Sequence, residues 1–134
     1  MKNKLAPIIL FVYNRPWHTQ QTVEALQNNL FADQSDLIIY SDAAKNDQAC
    51  VQVQAVRDYI KTVDGFKSVK IIERDKNRGL AANIIDGVTE VVNQYGKIIV
   101  MEDDIVTSPA YLSFMNQALD FYQNENKVWH ISGW

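Results

Sequence analysis

Residues 5–16, Leu5-Ala6-Pro7-Ile8-Ile9-Leu10-Phe11-Val12-Tyr13-Asn14-Arg15-Pro16, follow a charged start, Met1-Lys2-Asn3-Lys4, and can be read in two ways. A basic end ahead of an apolar run is the layout of a secretion signal. Against that, Pro7 sits in the run, Asn14-Arg15-Pro16 closes it with polar residues, and no small-x-small cleavage site follows. The same residues suit a buried first strand, a short apolar run rich in β-branched and aromatic side chains with proline on both flanks. With a strand rather than a leader here, the expected location is the cytoplasm.

Outward from this first strand, Pro7 to Tyr13, four more short apolar runs follow: Asp36 to Ser41, Ser68 to Glu73, Lys97 to Met101 and Val128 to Ser132. The stretches between them carry apolar residues at spacings of three and four, the helical period. Thr19, Val23, Leu26 and Leu30 mark a first helix, and Cys50, Val53, Val56 and Ile60 a second within Asp47 to Lys61. Asp64-Gly65 turns the chain into the third strand. Ala81, Ile84, Ile85, Val88 and Val92 mark a third helix within Gly79 to Gln94. Ser108-Pro109 sets a cap residue before a proline, opening a fourth helix that turns Leu112, Met115, Leu119 and Tyr122 inward. Strand and helix therefore alternate throughout, which predicts an α/β fold: a three-layer α/β/α sandwich around a Rossmann-like, mainly parallel sheet. At 134 residues and 47% hydrophobic content, residues 1–134 are expected to form a single domain.

A formal charge of -3 and scattered basic residues exclude a general nucleic-acid surface, so any phosphate must be bound locally. The single cysteine, Cys50, excludes an internal disulfide framework, and its place in the pattern puts it on the apolar side of the second helix. His18 and His130 lack a second ligand at metal spacing and are read as structural or surface residues. No apolar run approaches the roughly 20 residues that span a bilayer.

In open sheets of this kind, ligands settle outside the carboxyl ends of the strands, where the strand order reverses. The four relevant exits are all polar: Asn14-Arg15-Pro16, Ser41-Asp42, Arg74-Asp75-Lys76-Asn77-Arg78-Gly79 and Glu102-Asp103-Asp104. The last is the sharpest signal, because Ile98 to Val106 sets three adjacent carboxylates between two apolar segments. Like charges repel and lose hydration there, so folding alone gives little reason to collect them. A divalent cation shared with a phosphate ligand removes the objection, and oxygen donors favour Mg²⁺ or Mn²⁺.

Each residue also has a plainer reading. The acidic triplet can be a solvated loop, Arg15 a surface ion pair, and Asp42 a turn or cap residue instead of an acceptor for a base N–H. Gly79 can simply open the third helix, or it can admit a ligand close to the backbone. Neither a G-x-G-x-x-G nor a G-x-x-x-x-G-K-[ST] loop follows the first strand, which excludes a standard dinucleotide or P-loop site. An aspartyl nucleophile would be expected after the first strand, where Asn14-Arg15 stands.

The ordered motifs carry a family likeness. A strand leads into Tyr13-Asn14-Arg15-Pro16, another ends in Ser41-Asp42, Asn77-x-Gly79-Leu80 opens a helix, and Met101-Glu102-Asp103-Asp104 follows. Ser108-Pro109-Ala110-Tyr111-Leu112 and Val128-Trp129-His130-Ile131-Ser132-Gly133-Trp134 complete the run. In this order the chain resembles the nucleotide-sugar-binding half of a GT-A fold glycosyltransferase, with family 2 enzymes and N-acetylglucosaminyltransferase I as the nearest patterns. Glu102-Asp103-Asp104 resembles that class's DXD motif.

The resemblance implies that Asp104 binds Mn²⁺ or Mg²⁺ while Glu102 and Asp103 face the donor's sugar and ribose. It implies that Asp42 contacts a uracil-type base, that Arg15 lies near the base or diphosphate, and that Asn77 and Arg78 contribute more weakly. Many family 2 enzymes carry an Arg-Asn pair in the helix after N-x-G, where this chain has Asn83-Ile84-Ile85-Asp86. The implied reaction is inverting transfer from a nucleotide-diphosphate sugar, a UDP-sugar first of all, to a hydroxyl of a glycan or lipid-linked acceptor. The carboxylate base for that step lies in the half of the class beyond the last strand here, so no catalytic residue is assigned. On this reading the acceptor-binding half lies beyond residue 134, and the 134 residues bind donor but transfer poorly or not at all.

Two other functions compete. A non-catalytic donor-binding or scaffold module needs no polar residues at successive strand exits, and a nucleotidyltransferase would show a glycine-rich basic loop where Asn14-Arg15-Pro16-Trp17 stands. Trp129 is expected in the core because it falls in a predicted strand. Tyr111 and Trp134 fit either core or an acceptor-facing platform. An exposed apolar patch is expected where a further half would pack, with self-association through it.

Overall fold

The computed structural model describes residues 4–133. Four parallel strands form one sheet in the order β3-β2-β1-β4: β1 Ile8–Val12, β2 Asp36–Ser41, β3 Ser68–Glu73 and β4 Ile99–Glu102. β1 has neighbours on both sides, pairing Ile8 with Leu37 of β2 and with Ile99 of β4. That placement explains its unbroken apolar run, because a central strand of a covered parallel sheet is buried on both faces. The chain steps outward from β1 through β2 to β3 and then returns to the other side of β1. The reversal therefore falls between β1 and β4, where Phe11 pairs with Glu102.

The helices are α1 Pro16–Gln27, α2 Cys50–Ile60, α3 Leu80–Tyr95 and α4 Tyr111–Tyr122. Pro16 opens α1, a position where its missing N–H and fixed φ cost nothing. On one face of the sheet Ile8, Leu10, Val12, Leu37 and Ile39 pack against Val23 and Leu26 of α1, Val56 and Ile60 of α2, and Leu112 and Met115 of α4. On the other face Ile9, Phe11, Ile38 and Tyr40 pack against Val91, Ile84 and Val88 of α3. This is the expected three-layer α/β/α arrangement.

α3 approaches its face unusually closely. A Cβ at Gly87 would stand 2.8 Å from the Phe11 ring and 3.3 Å from Tyr40, so only glycine lets the helix lie there. α4 is fixed by two buried asparagines. Asn29 accepts from the Leu112 N–H at 2.9 Å and donates to the Thr107 hydroxyl at 3.0 Å, while Asn116 accepts from Ala6 N–H at 2.8 Å. The first bond satisfies a donor at the start of α4, the second ties the loop after β4 to the end of α1, and the third ties α4 to the residues leading into β1.

Several expectations are corrected. Residues 128–132 form no strand, because local bonds take their place: Val128 N–H donates to the Glu125 carbonyl at 3.0 Å, and Trp129 Nε1 to the Asn126 carbonyl at 2.8 Å. Trp129 is accordingly 93% exposed instead of in the core. Tyr111 is half-buried against the core, and burial pushes its hydroxyl pKa up. Trp134 lies outside the described residues.

Cys50 is exposed at the start of α2, not on its apolar side. Leu30 is exposed because α1 ends at Gln27, before the extrapolated stripe reaches it. In α3 the buried stripe runs Asn83, Gly87, Val91, which leaves Ala81 and Ile85 on the solvent side. Tyr122, at the end of α4, is also exposed. Val100, Ile105 and Trp129 stand exposed around a trough beside β4. Among the described residues no helix is long and apolar enough to cross a membrane.

Candidate functional site at the strand ends

The ends of β2 and β3 are clipped together first. Arg57 of α2 donates to the Ser41 hydroxyl at 3.1 Å and to the Arg74 carbonyl at 2.9 Å, which fixes where both strands release their loops. Just beyond, Asp42 is 5% exposed and its carboxylate gathers the loop after β3. Oδ1 accepts from the N–H groups of Ala43 at 2.9 Å and Arg78 at 3.0 Å. Oδ2 accepts from the Gly79 N–H at 3.1 Å and from Asn77 Nδ2 at 3.2 Å. Asn77 Nδ2 also reaches the Ala43 carbonyl at 2.8 Å.

This carboxylate sits at the start of α3, the end of a helix that attracts anions. Gly79 caps that helix with φ +78°, a backbone state that other residues rarely adopt, so its role in opening the helix is real. Gly79 also borders the cavity described below, so both readings of it meet at one residue.

The opposite wall is built by the acidic turn after β4. Asp103 is 5% exposed, and Arg15 at the β1 exit donates a short hydrogen bond to its Oδ1. The same guanidinium stands 3.4 Å from Asp104. Asp104 is the open member of the triplet, its side chain 49% exposed. The hydrogen bond to Asp103 raises the Arg15 pKa, with burial opposing and the charges of Asp103 and Asp104 adding. Among the described residues the cation that answers Asp103 and Asp104 is an arginine.

Between these walls lies a cavity of about 400 Å³, bordered by Arg15, Glu102 and Asp103 on one side and by Asp42, Asn77 and Gly79 on the other. Two of the expected residues do not border it. The Arg78 side chain turns away to Asp86 at 2.7 Å, leaving only its backbone N–H in the site. Asp104 faces the trough beside β4. Among the described residues no three His, Cys, Asp or Glu side chains converge as a ready metal cage. The donor set still fits Mg²⁺ or Mn²⁺, since such ions are held by one or two carboxylates together with substrate phosphates. Asp104 meets Arg15 only at 3.4 Å and is half in water.

Asn83, 2% exposed in the first turn of α3, borders the cavity too, although the sequence marked it only as standing where an Arg-Asn pair is lacking. The available signal was a polar residue at helical spacing with Gly87 and Val91 on the buried stripe. Lys45 and Tyr13 also border the cavity, the Lys45 N–H donating to the Tyr13 hydroxyl at 3.1 Å.

The family profile described as "Glycosyl transferase family 2" matches residues 8–126. A search of curated proteins finds no match. Among solved structures, the chain is similar to TarS of S. aureus, at 15% identity and a TM-score of 0.62, over 89% of this chain and 20% of that one. It is also similar to the mannosyltransferase PcManGT from Pyrobaculum calidifontis, a structure in complex with GDP-Man and Mn²⁺. There the identity is 14% and the TM-score 0.62, over 90% of this chain and 32% of that one. At these identities the likeness shows the fold alone. The chain spans about a fifth and a third of the two proteins' lengths.

Proposed function

We propose, from the premise that the chain belongs to glycosyl transferase family 2, that it binds a nucleoside-diphosphate sugar, a UDP-sugar first of all, for inverting transfer to an acceptor hydroxyl. One observation carries the reading: the ends of all four strands contribute polar residues around a single cavity, whose size falls in the range of small-ligand sites. A fold that served only as a scaffold has no use for Arg15, Asp42, Asn77, Glu102 and Asp103 around one space.

The proposed roles follow from what each side chain already does. Asp42 holds the 77–79 loop as the wall against the base, with Asn77 beside it. Arg15, poised between two carboxylates, shares its charge with the diphosphate. Glu102 and Asp103 face the ribose and sugar. Asp104 is the metal ligand, and Mn²⁺ or Mg²⁺ bound there would offset the charge of the departing diphosphate. PcManGT, with Mn²⁺ and GDP-Man in its structure, is in keeping with such use. The finer likeness to N-acetylglucosaminyltransferase I rests on the sequence run from Met101 to Trp134, and self-association on the apolar trough beside β4.

A second reading, a donor-binding or scaffold module without transfer, is favoured by one feature. Arg15 already neutralises the buried Asp103, and no third ligand converges on Asp104 among the described residues. Calorimetric titration of UDP with Mn²⁺ and with EDTA, repeated on Asp104→Ala, separates the two. Metal-dependent binding that the variant loses supports the first, and no signal for any nucleoside diphosphate supports the second.

A further inference from the structure

We infer that Arg15 competes with a divalent cation for Asp103 and Asp104, so that a diphosphate drawing the guanidinium into the cavity opens these acids to the metal. The inference rests on the proposed role of Asp104 as metal ligand, and it adds a competitor inside the chain that couples the two ligands.

A single atom sets up the competition. Arg15 Nη2 donates to Asp103 Oδ1 and stands 3.4 Å from Asp104 Oδ2, so one nitrogen lies between the two carboxylates. Mg²⁺ bonds a carboxylate oxygen at about 2.0–2.1 Å, and an ion that close to either oxygen, on the side the acids share, would abut this nitrogen and meet its charge. Asp103 is 5% exposed and needs a counter-charge, which either cation can supply.

The arginine is placed to give way. An arginine that served only the fold would be buried with its acid, yet the Arg15 side chain is 44% exposed and borders the cavity. Its backbone is held separately: the carbonyl accepts from the Thr19 N–H at 3.0 Å and from the Thr19 hydroxyl at 2.8 Å, and Thr19 is fully buried. The arm can therefore turn about a fixed base without disturbing α1. Among the described residues the cavity wall offers a diphosphate only two cationic side chains, Arg15 and Lys45, against the carboxylates of Asp42, Glu102 and Asp103. A guanidinium fork matches phosphate oxygens in pairs, so Arg15 has a strong reason to turn inward when they arrive. Linkage then requires the metal and the diphosphate to favour each other's binding.

No third His, Cys, Asp or Glu converges on the two acids among the described residues, so weak metal binding alone would not single out Arg15. The sign of a change does. Mn²⁺ alone is titrated into the unaltered chain and into Arg15→Gln, Arg15→Lys and Lys45→Gln, with the free ion read by electron paramagnetic resonance and the fold by circular dichroism. Arg15→Gln should bind Mn²⁺ about tenfold or more tightly than the unaltered chain. Arg15→Lys, whose ammonium can stay with Asp103 and keep the fold, should gain about threefold. Lys45→Gln, which removes a cavity charge outside the pair, should change the affinity by less than about twofold. UDP titrated in EDTA should move the other way, binding Arg15→Gln about threefold or more weakly. A pair that was only structural would not shift the two ligands in opposite directions.

Mn²⁺ affinity that fails to rise in whichever Arg15 variant folds overturns the inference. So does an equal rise in Lys45→Gln, UDP binding in EDTA that Arg15→Gln leaves unchanged, or a rise that survives the addition of Asp104→Asn. If the unaltered chain binds UDP neither with Mn²⁺ nor without it, the nucleotide-site reading itself fails, and the Mn²⁺ titration still decides the competition.

Discussion

On the α3 side of the cavity, the Asp42 carboxylate accepts from the N–H groups of Ala43, Arg78 and Gly79 and from the Asn77 amide. On the β4 side, Asp103 and Asp104 answer to one guanidinium whose side chain is 44% exposed. The first wall is a finished hydrogen-bond network, and its partners are mostly backbone groups of the loops after β2 and β3, which cannot leave without moving those loops. The second depends on a flexible side chain at the water boundary, so its charges can be redistributed when a ligand arrives. A rigid wall suits recognition of a fixed shape, and an adjustable one suits a ligand whose charge changes during reaction.

Replacing the anchor should do the most damage. Asp42→Ala leaves three backbone donors unsatisfied and the Asn77 amide with only its bond to the Ala43 carbonyl, and about 2–4 kcal/mol of stability should be lost in a denaturant titration. A loss below about 1 kcal/mol would mean that the two walls do not differ as described. Arg15→Ala comes next. It strands the buried Asp103 without its cation and should cost about 1–2 kcal/mol, less than a fully buried pair because the arginine is partly solvated. Raising the salt should shrink this difference and leave the Asp42 effect in place.

The buried Tyr40, whose hydroxyl donates to Glu90 at 2.6 Å, responds to pH. Burial first, then the Glu90 acceptor, raises the pKa of the Tyr40 hydroxyl well above its ordinary value near 10. The folded chain therefore keeps the proton while the unfolded chain releases it. This contribution is present in full below about pH 10 and is lost as pH rises above it. Tyr40→Phe should cost about 1 kcal/mol near pH 7, through loss of the bond to Glu90. Its stability should then fall less steeply than the parent's between pH 9 and 11, as denaturation midpoints would record. The smallest effect on stability is expected for Asp104→Ala, within about 0.5 kcal/mol because the side chain is half in water. The same variant should lose any Mn²⁺ dependence of UDP binding, so a stability change without a binding change would place Asp104 in the structure alone.

The sheet was legible because its signals are local. β2 and β3 begin and end where the apolar runs of Asp36 to Ser41 and Ser68 to Glu73 do, and β1 shows its central position by lacking alternation. The run 128–132 has the same composition but no ladder, since pairing depends on a neighbour that composition does not specify. The strand ends told where charges would gather, and Arg15, Asp42, Asn77, Glu102 and Asp103 do surround one cavity. Side-chain direction was not legible. Nothing in Asn77-Arg78-Gly79 says that Arg78 turns to Asp86, or that Asp104 looks toward the trough while Asp103 is drawn in by Arg15. The orientation of Asn83 was not legible for a related reason, as it is set by Arg74, nine residues earlier and on a different element.

Gly87 extends this dependence to a residue that does not border the cavity. It lies one helical turn from Asn83 on the same stripe and rests against Phe11 and Tyr40 with no room for a methyl group. A bulkier residue lifts the helix from the sheet and carries the amide of Asn83 with it. In a library of variants selected for ligand binding, position 87 would therefore score with the cavity-lining residues, and the tolerated alphabet there would be close to a single letter.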